Sequence, residues 1–190
     1  MKRLLYVLFA IIAIVVVSLI LWSTKTNAGM GDKTLVAYFS ATGNTRGVAE
    51  KLSNTIGADL FEIVPEQLYS ADDLNWQNDA SRSSVEMKDA TSRPVVASKI
   101  EDMSQYKIVF VGFPIWWGRE PSIIDTFMES YDFAGKTVIP FATSGSSDIG
   151  NTYENLKKLA PNANVLPGKR FASDVSVEDL KSWADTEIAK

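Results

Sequence analysis

The 190-residue chain contains neither cysteine nor histidine. Without cysteine there are no disulfides, zinc thiolates, iron–sulfur ligands or covalent haem attachment. Without histidine the commonest general base and the commonest transition-metal ligand are both missing. Chemistry is left to hydroxyls, carboxylates, amines, aromatics or a bound cofactor. Basic stripes are also missing, which disfavours nucleic acid as a partner. What is abundant is apolar: hydrophobic residues make up 46% of the chain, enough for a core in a domain of this length. Five Trp and six Tyr supply flat surfaces for a flat ligand.

Residues 1–29 read as a membrane anchor or signal segment plus linker, and 30–190 as one domain. Lys2 and Arg3 precede an uncharged run from Leu4 to Trp22. That run is long enough to cross a bilayer as a helix, with Trp22 at the interface and a cytoplasmic N-terminus. Its length favours an uncleaved anchor, which places the domain on the outer side of the cytoplasmic membrane. Two alternatives stay open. Thr26-Asn27-Ala28 is a weak cleavage site, giving a secreted domain. Met30 is a possible start, giving a cytoplasmic one. Lys2, Arg3 and Lys25 are the only charges before residue 30. The remainder holds sixteen basic against twenty-three acidic residues, a net of −7.

Thr34 to Phe39 reads as a buried strand that runs into Ser40-Ala41-Thr42-Gly43-Asn44-Thr45 and then a helix from about Arg46 to Thr55. Ser40, Thr42, Asn44 and Thr45 supply oxygens and an amide, and Gly43 permits positive φ. The helix aims its free N–H groups and positive dipole end into the loop. Such a loop suits a phosphate, although a plain βα turn has the same letters. The Gly-Lys-Ser/Thr ending of a nucleotide-triphosphatase loop is missing, as is dinucleotide glycine spacing.

Asp59 to Val64 reads as a second strand, stopped by Pro65. Glu66 to Lys99 is an excursion with helical starts near Asp72 and Ser81. Lys107 to Phe113 and Thr137 to Ala142 are continuous apolar strands, buried on both faces. Pro114-Ile115-Trp116-Trp117-Gly118 follows the first of these, then a helix from Ser122 to about Tyr131. Thr143-Ser144-Gly145-Ser146-Ser147 follows the second, then a helix from about Asn151 to Leu159. A short strand falls within Asn164 to Phe171, and Ser176 caps a last helix. Alternating strands and helices predict an α/β doubly wound parallel sheet with helices on both faces. The loops after strands one, three and four then all lie at the carboxyl edge, where such sheets bind ligands; the adjacent tryptophans are either packing residues or place one indole to stack on a flat ring. A monophosphate at one end and a planar polar ring at the other describe flavin mononucleotide (FMN).

From Lys33 to Lys190 the chain resembles the flavodoxin family. Ser40 to Thr45 is similar to its phosphate loop, and Pro114 to Gly118 and Thr143 to Ser147 are similar to its two isoalloxazine loops. The resemblance implies a five-stranded sheet of order 2-1-3-4-5 and non-covalent FMN. It implies Trp117 as the stacking aromatic and a Gly118 carbonyl that turns toward the flavin N5–H on reduction. Two positions depart. Asp148 stands where many members carry an aromatic over the outer ring face, leaving that face open unless Tyr69, Trp76 or Tyr131 covers it. Arg119 stands where acidic residues are common; a cation beside the ring would raise the potential, whereas pairing with Glu120 would not.

The expected function is an FMN-binding electron-transfer protein or oxidoreductase, exchanging electrons with a partner protein or small molecule. The alternatives are an NAD(P)H- or quinone-linked FMN reductase and a non-redox binding module on the same fold.

Overall fold

The computed structural model describes residues 31–190. The anticipated anchor over 4–22 therefore lies outside the described residues. Among the described residues, no helix is long and apolar enough to cross a membrane.

Strand β1 (Lys33–Tyr38) leads into helix α1 (Asn44–Ile56), then β2 (Asp59–Glu62). The excursion holds one short helix, α2 (Arg82–Lys88), capped by Ser81, whose side chain accepts from Ser84 N–H. The segment near Asp72, expected to be helical, forms turns instead. There the Asn75 and Asn78 side-chain oxygens accept from the N–H groups of Gln77 and Ala80. Asparagine that bonds backbone locally in this way competes with the helical ladder. Strand β3 (Tyr106–Pro114), helix α3 (Ser122–Glu129), β4 (Thr137–Thr143) and α4 (Thr152–Leu159) follow. The chain ends with β5 (Asn164–Val165), β6 (Lys169–Phe171) and α5 (Val177–Ile188), the last capped by Ser176.

The sheet order is β2-β1-β3-β4-β5, with β6 also on β4, and every pairing is parallel. The expected 2-1-3-4-5 order therefore holds, with the fifth strand in two pieces. The interruption is Leu166-Pro167-Gly168. Gly168 (φ 78°) lies so close to Pro140 in β4 that a Cβ would sit 2.3 Å from the Pro140 carbonyl oxygen. Regular pairing fails at that point and resumes at Lys169.

Side-chain alternation divides the interior into two layers. Leu35, Ala37, Val109, Val111 and Val138 face α3 and α4, meeting Ile123, Ile124, Phe127 and Leu156. Val36, Tyr38, Phe110, Ile139 and Phe141 face α1 and α5, meeting Val48, Leu52, Leu180 and Trp183. A strand apolar at every position is thus satisfied only by helices on both sides.

Candidate functional site

Loop one begins where β1 ends. Gly43 takes φ 89° and occupies the N-cap of α1, and its N–H donates to Ser40 Oγ at 3.1 Å. No side chain caps the helix, so its first-turn donors remain for a ligand. Thr42, Gly43 and Asn44 are exposed, and Ser40 is half-buried. Thr45 is different. It is buried, and its hydroxyl shares a 2.8 Å hydrogen bond with that of Thr143. Its side chain therefore ties the first loop to the third. Arg46 turns away to pair with Glu62, so the loop is a neutral cradle.

A cavity of about 210 Å³ joins Thr42 and Asn44 of this loop to Pro114, to Thr143, Ser144 and Gly145, and to Ala172 and Ser173. Ala172 and Ser173 were not expected. They follow β6 at the same carboxyl edge, a position the sequence could have yielded once a strand ending at Phe171 was placed.

The second loop contains a tight hairpin. Trp116 N–H donates to the Arg119 carbonyl at 2.9 Å and Arg119 N–H returns a bond to the Trp116 carbonyl at 3.1 Å. Trp117 (φ 47°) and Gly118 (φ 79°) occupy the turn, both left-handed, as a type I′ turn demands. A non-glycine residue at positive φ carries strain, and here that backbone presents the Trp117 indole to solvent, 47% exposed. Trp116 points inward, edge-on to Phe39 (5.6 Å) and Tyr69 (5.2 Å). The adjacent tryptophans thus divide the work: Trp116 fastens the loop and Trp117 faces outward. Ile115 N–H donates to the Thr143 carbonyl at 3.2 Å, joining loops two and three. Of the third loop's remaining residues, Ser144 is half-buried and Gly145, Ser146 and Ser147 are exposed.

The Gly118 carbonyl is engaged. It accepts from Asn151 N–H at 3.1 Å. Arg119 also differs from a free cation beside a ring. Its guanidinium pairs with Glu120 at 3.1 Å and with Asp125, both buried. Asp125 is in turn 3.7 Å from Arg93 of the excursion, which grips Glu129. Glu120 is wholly buried, and apart from that ion pair neither of its oxygens has a hydrogen-bond partner. Burial raises its pKa to about 7 against the opposing pull of Arg119.

Asp148 is exposed, and its Oδ1 accepts from Ile149 N–H at 2.8 Å. Of the three aromatics considered as covers, Tyr69 is packed on Trp116 and donates to Glu86 at 2.5 Å. The Tyr131 ring packs on Phe127, and its hydroxyl accepts from Ile100 N–H. Only Trp76 reaches the site. A second cavity, about 420 Å³, is walled by Leu74, Trp76 and Ser83 of the excursion, by Ile115, Trp116 and Trp117, and by Ser147.

The flavodoxin family model matches residues 33–187. A crystal structure of a candidate flavoprotein from Bacteroides eggerthii is 48% identical, with a TM-score of 0.78, covering 83% of this chain and 99% of that one. One from Bacteroides uniformis is 49% identical, also at 0.78, covering 82% and 99%. A Lactobacillus acidophilus flavoprotein solved in complex with FMN shares the fold at 23% identity and a TM-score of 0.60, covering 81% and 99%. No curated protein matches the chain. With its family match spanning nearly all of the described domain, and its 2-1-3-4-5 parallel sheet, the chain belongs to the flavodoxin family.

Proposed function

We propose that the protein binds FMN and moves electrons through it. The observation that carries this reading is the convergence of an uncapped α1 N-terminus, a hydroxyl-rich loop and an outward Trp117 at one sheet edge. The residues fit the group. The free N–H donors of α1, with Ser40, Thr42 and Asn44, hold a phosphate without a cation. Thr143, Ser144 and Gly145 line the space between phosphate and ring. Trp117 offers its face to the ring. FMN supplies the electron-accepting chemistry when bound. The chain contributes binding, orientation and the exclusion of charge: Arg119 is withdrawn into Glu120 and Asp125, which removes its expected pull on the potential.

The partner is a redox protein or a small electron donor or acceptor. The membrane-tethered, outward-facing placement remains part of the proposal and rests on the Leu4 to Trp22 run alone; protease treatment of intact cells tests it, and a fully protected domain overturns it.

The test of function is purification followed by anaerobic reductive titration. A yellow protein with one equivalent of FMN that reduces reversibly is the expected result. A colourless protein that takes up no FMN sinks the redox reading and leaves a binding module on this fold.

A further inference from the structure

We infer that Arg170 is the positioning residue of the third loop: by holding the Ser144 and Gly145 carbonyls it leaves the N–H groups of Gly145 and Ser146 to the cofactor, and so favours the reduced form over the oxidised one. This inference rests on the FMN reading above.

Arg170 lies in β6, whose register places it beside Ala142 of β4. Side chains two apart along a strand share a face, so Ser144, just past β4, falls on the Arg170 side. The guanidinium uses that placement three times. Its Nε donates to Ser144 Oγ at 3.1 Å. Its Nη2 donates to the Ser144 carbonyl at 2.7 Å and also to the Gly145 carbonyl. The Ser144 hydroxyl extends the hold by donating to the Ser147 carbonyl. Arg170 itself lines neither cavity. Its planar fork thus grips the loop from behind.

Peptide geometry sets the consequence. No peptide bond among the described residues is cis, and in a trans peptide the N–H points opposite to the C=O. With the Ser144 and Gly145 carbonyls turned to Arg170, the N–H groups of Gly145 and Ser146 face away from it. Neither N–H finds a backbone acceptor among the described residues. Successive free N–H groups make a concavity that takes negative charge. Ser144 and Gly145 line the cavity that reaches Thr42 and Asn44, so these donors belong to the same edge as the phosphate cradle. At α1 a helix aligns the donors. Residues 144–149 have no helix or strand to do so, and the arginine supplies the alignment.

Charge adds to position. Every other arginine among the described residues pairs with a carboxylate. Arg170 bonds only neutral oxygens. A cation on the oxygen side of a peptide polarises it, which makes the N–H on the far side a stronger donor. The ring of FMN has an edge of carbonyl oxygens and ring nitrogens that becomes more negative on reduction. Donors already fixed in place gain most from the more negative form. Arg170 acts through two peptide units, without touching the cofactor.

The experiment compares wild type, Arg170→Gln and Arg170→Lys as full chains. It measures affinity for oxidised FMN by flavin fluorescence, the two-electron midpoint potential at fixed pH, and the urea midpoint. Binding and reduction form a closed cycle, so a shift in potential reports the ratio of affinities for the two forms. Arg170→Gln should weaken oxidised FMN about three- to tenfold. It should weaken reduced FMN by about a further tenfold, which lowers the potential by about 30 mV. Arg170→Lys keeps the charge without the fork; it should weaken oxidised FMN while holding the potential near that of wild type. A potential that is unmoved or raised in Arg170→Gln overturns the inference, whatever the urea midpoint does. Unchanged affinity for oxidised FMN in both variants also overturns it, and leaves Arg170 a structural residue. If Arg170→Gln fails to fold, Arg170→Lys decides, with wild-type affinity as the refuting result. A colourless wild type overturns the FMN reading and this inference together, whereas a yellow wild type with an unmoved Arg170→Gln potential overturns this inference alone.

Discussion

Gly150 leaves room for the Gly118 carbonyl: a Cβ at Gly150 would lie 1.9 Å from that oxygen. The adjacent Asn151 N–H donates to the same oxygen at 3.1 Å. The third loop thus holds the second loop's turn by its backbone. Gly150→Ala meets both this clash and a backbone at φ 62°. It should lose about 1–3 kcal/mol of stability, read as a lower urea midpoint. An unchanged midpoint would show that the contact is not what positions the loop. On the proposed FMN reading, a Gly118 carbonyl that turned toward the flavin would have to give up the Asn151 bond, at a cost of about 0.5–1.5 kcal/mol.

Thr45 and Thr143 are each other's partner across the site. Thr45→Val alone should cost about 1–3 kcal/mol, because it strands a buried hydroxyl on Thr143. Thr45→Val combined with Thr143→Val should recover much of that loss, since no orphan remains. A double-mutant cycle from denaturation midpoints measures the coupling. Strict additivity of the two single changes would remove the bridge from the account.

Glu120 makes stability depend on pH in an unusual direction for a carboxylate. Burial raises its folded pKa to about 7, above the ordinary glutamate value of 4.5, so the folded state holds the proton longer than the unfolded chain. The stabilisation is complete below pH 4.5 and is lost as pH rises to about 7. The loss is on the order of 3 kcal/mol. Glu120→Gln should abolish this slope and be the more stable form, relative to wild type, at pH 8 than at pH 4. Denaturation across that range checks it, and parallel curves for the two proteins refute it.

Trp117→Ala removes an indole that is already half in water, so stability should change by less than about 0.5 kcal/mol. FMN affinity should fall about three- to tenfold from lost stacking. Flavin fluorescence titration separates the two effects. A large stability loss with intact FMN affinity would make Trp117 a packing residue.

Much of the fold was legible because periodicity reports burial directly. The runs Leu35 to Phe39, Ile108 to Val111 and Val138 to Ala142 are apolar at consecutive positions, which only a two-sided sheet rewards. The break at Gly168 was not legible, because it comes from contact with Pro140 in another strand. In the site, the glycines and hydroxyls of the three loops were readable from local turn chemistry. The commitment of Thr45 to Thr143 and of Arg119 to Asp125 was not, since each partner is fixed by tertiary approach. Trp76 was named only as one of three candidate covers, and Ser83 not at all, for a different reason. The excursion that carries them has little period of its own, and asparagine and serine turns leave few marks of which way an indole faces.

The chain of charges from Glu129 through Arg93, Asp125 and Arg119 to Glu120 has one more consequence. Arg93 belongs to the excursion and Arg119 to the hairpin of Trp117, with one carboxylate shared between them. The excursion therefore helps to set the electrostatic environment of the redox edge as well as its shape. Trimming that segment would leave Asp125 to Arg119 alone and shift the whole balance beside the cofactor. On the proposed FMN reading, a shortened relative would accordingly run at a different voltage even with Trp117 and the phosphate loop retained.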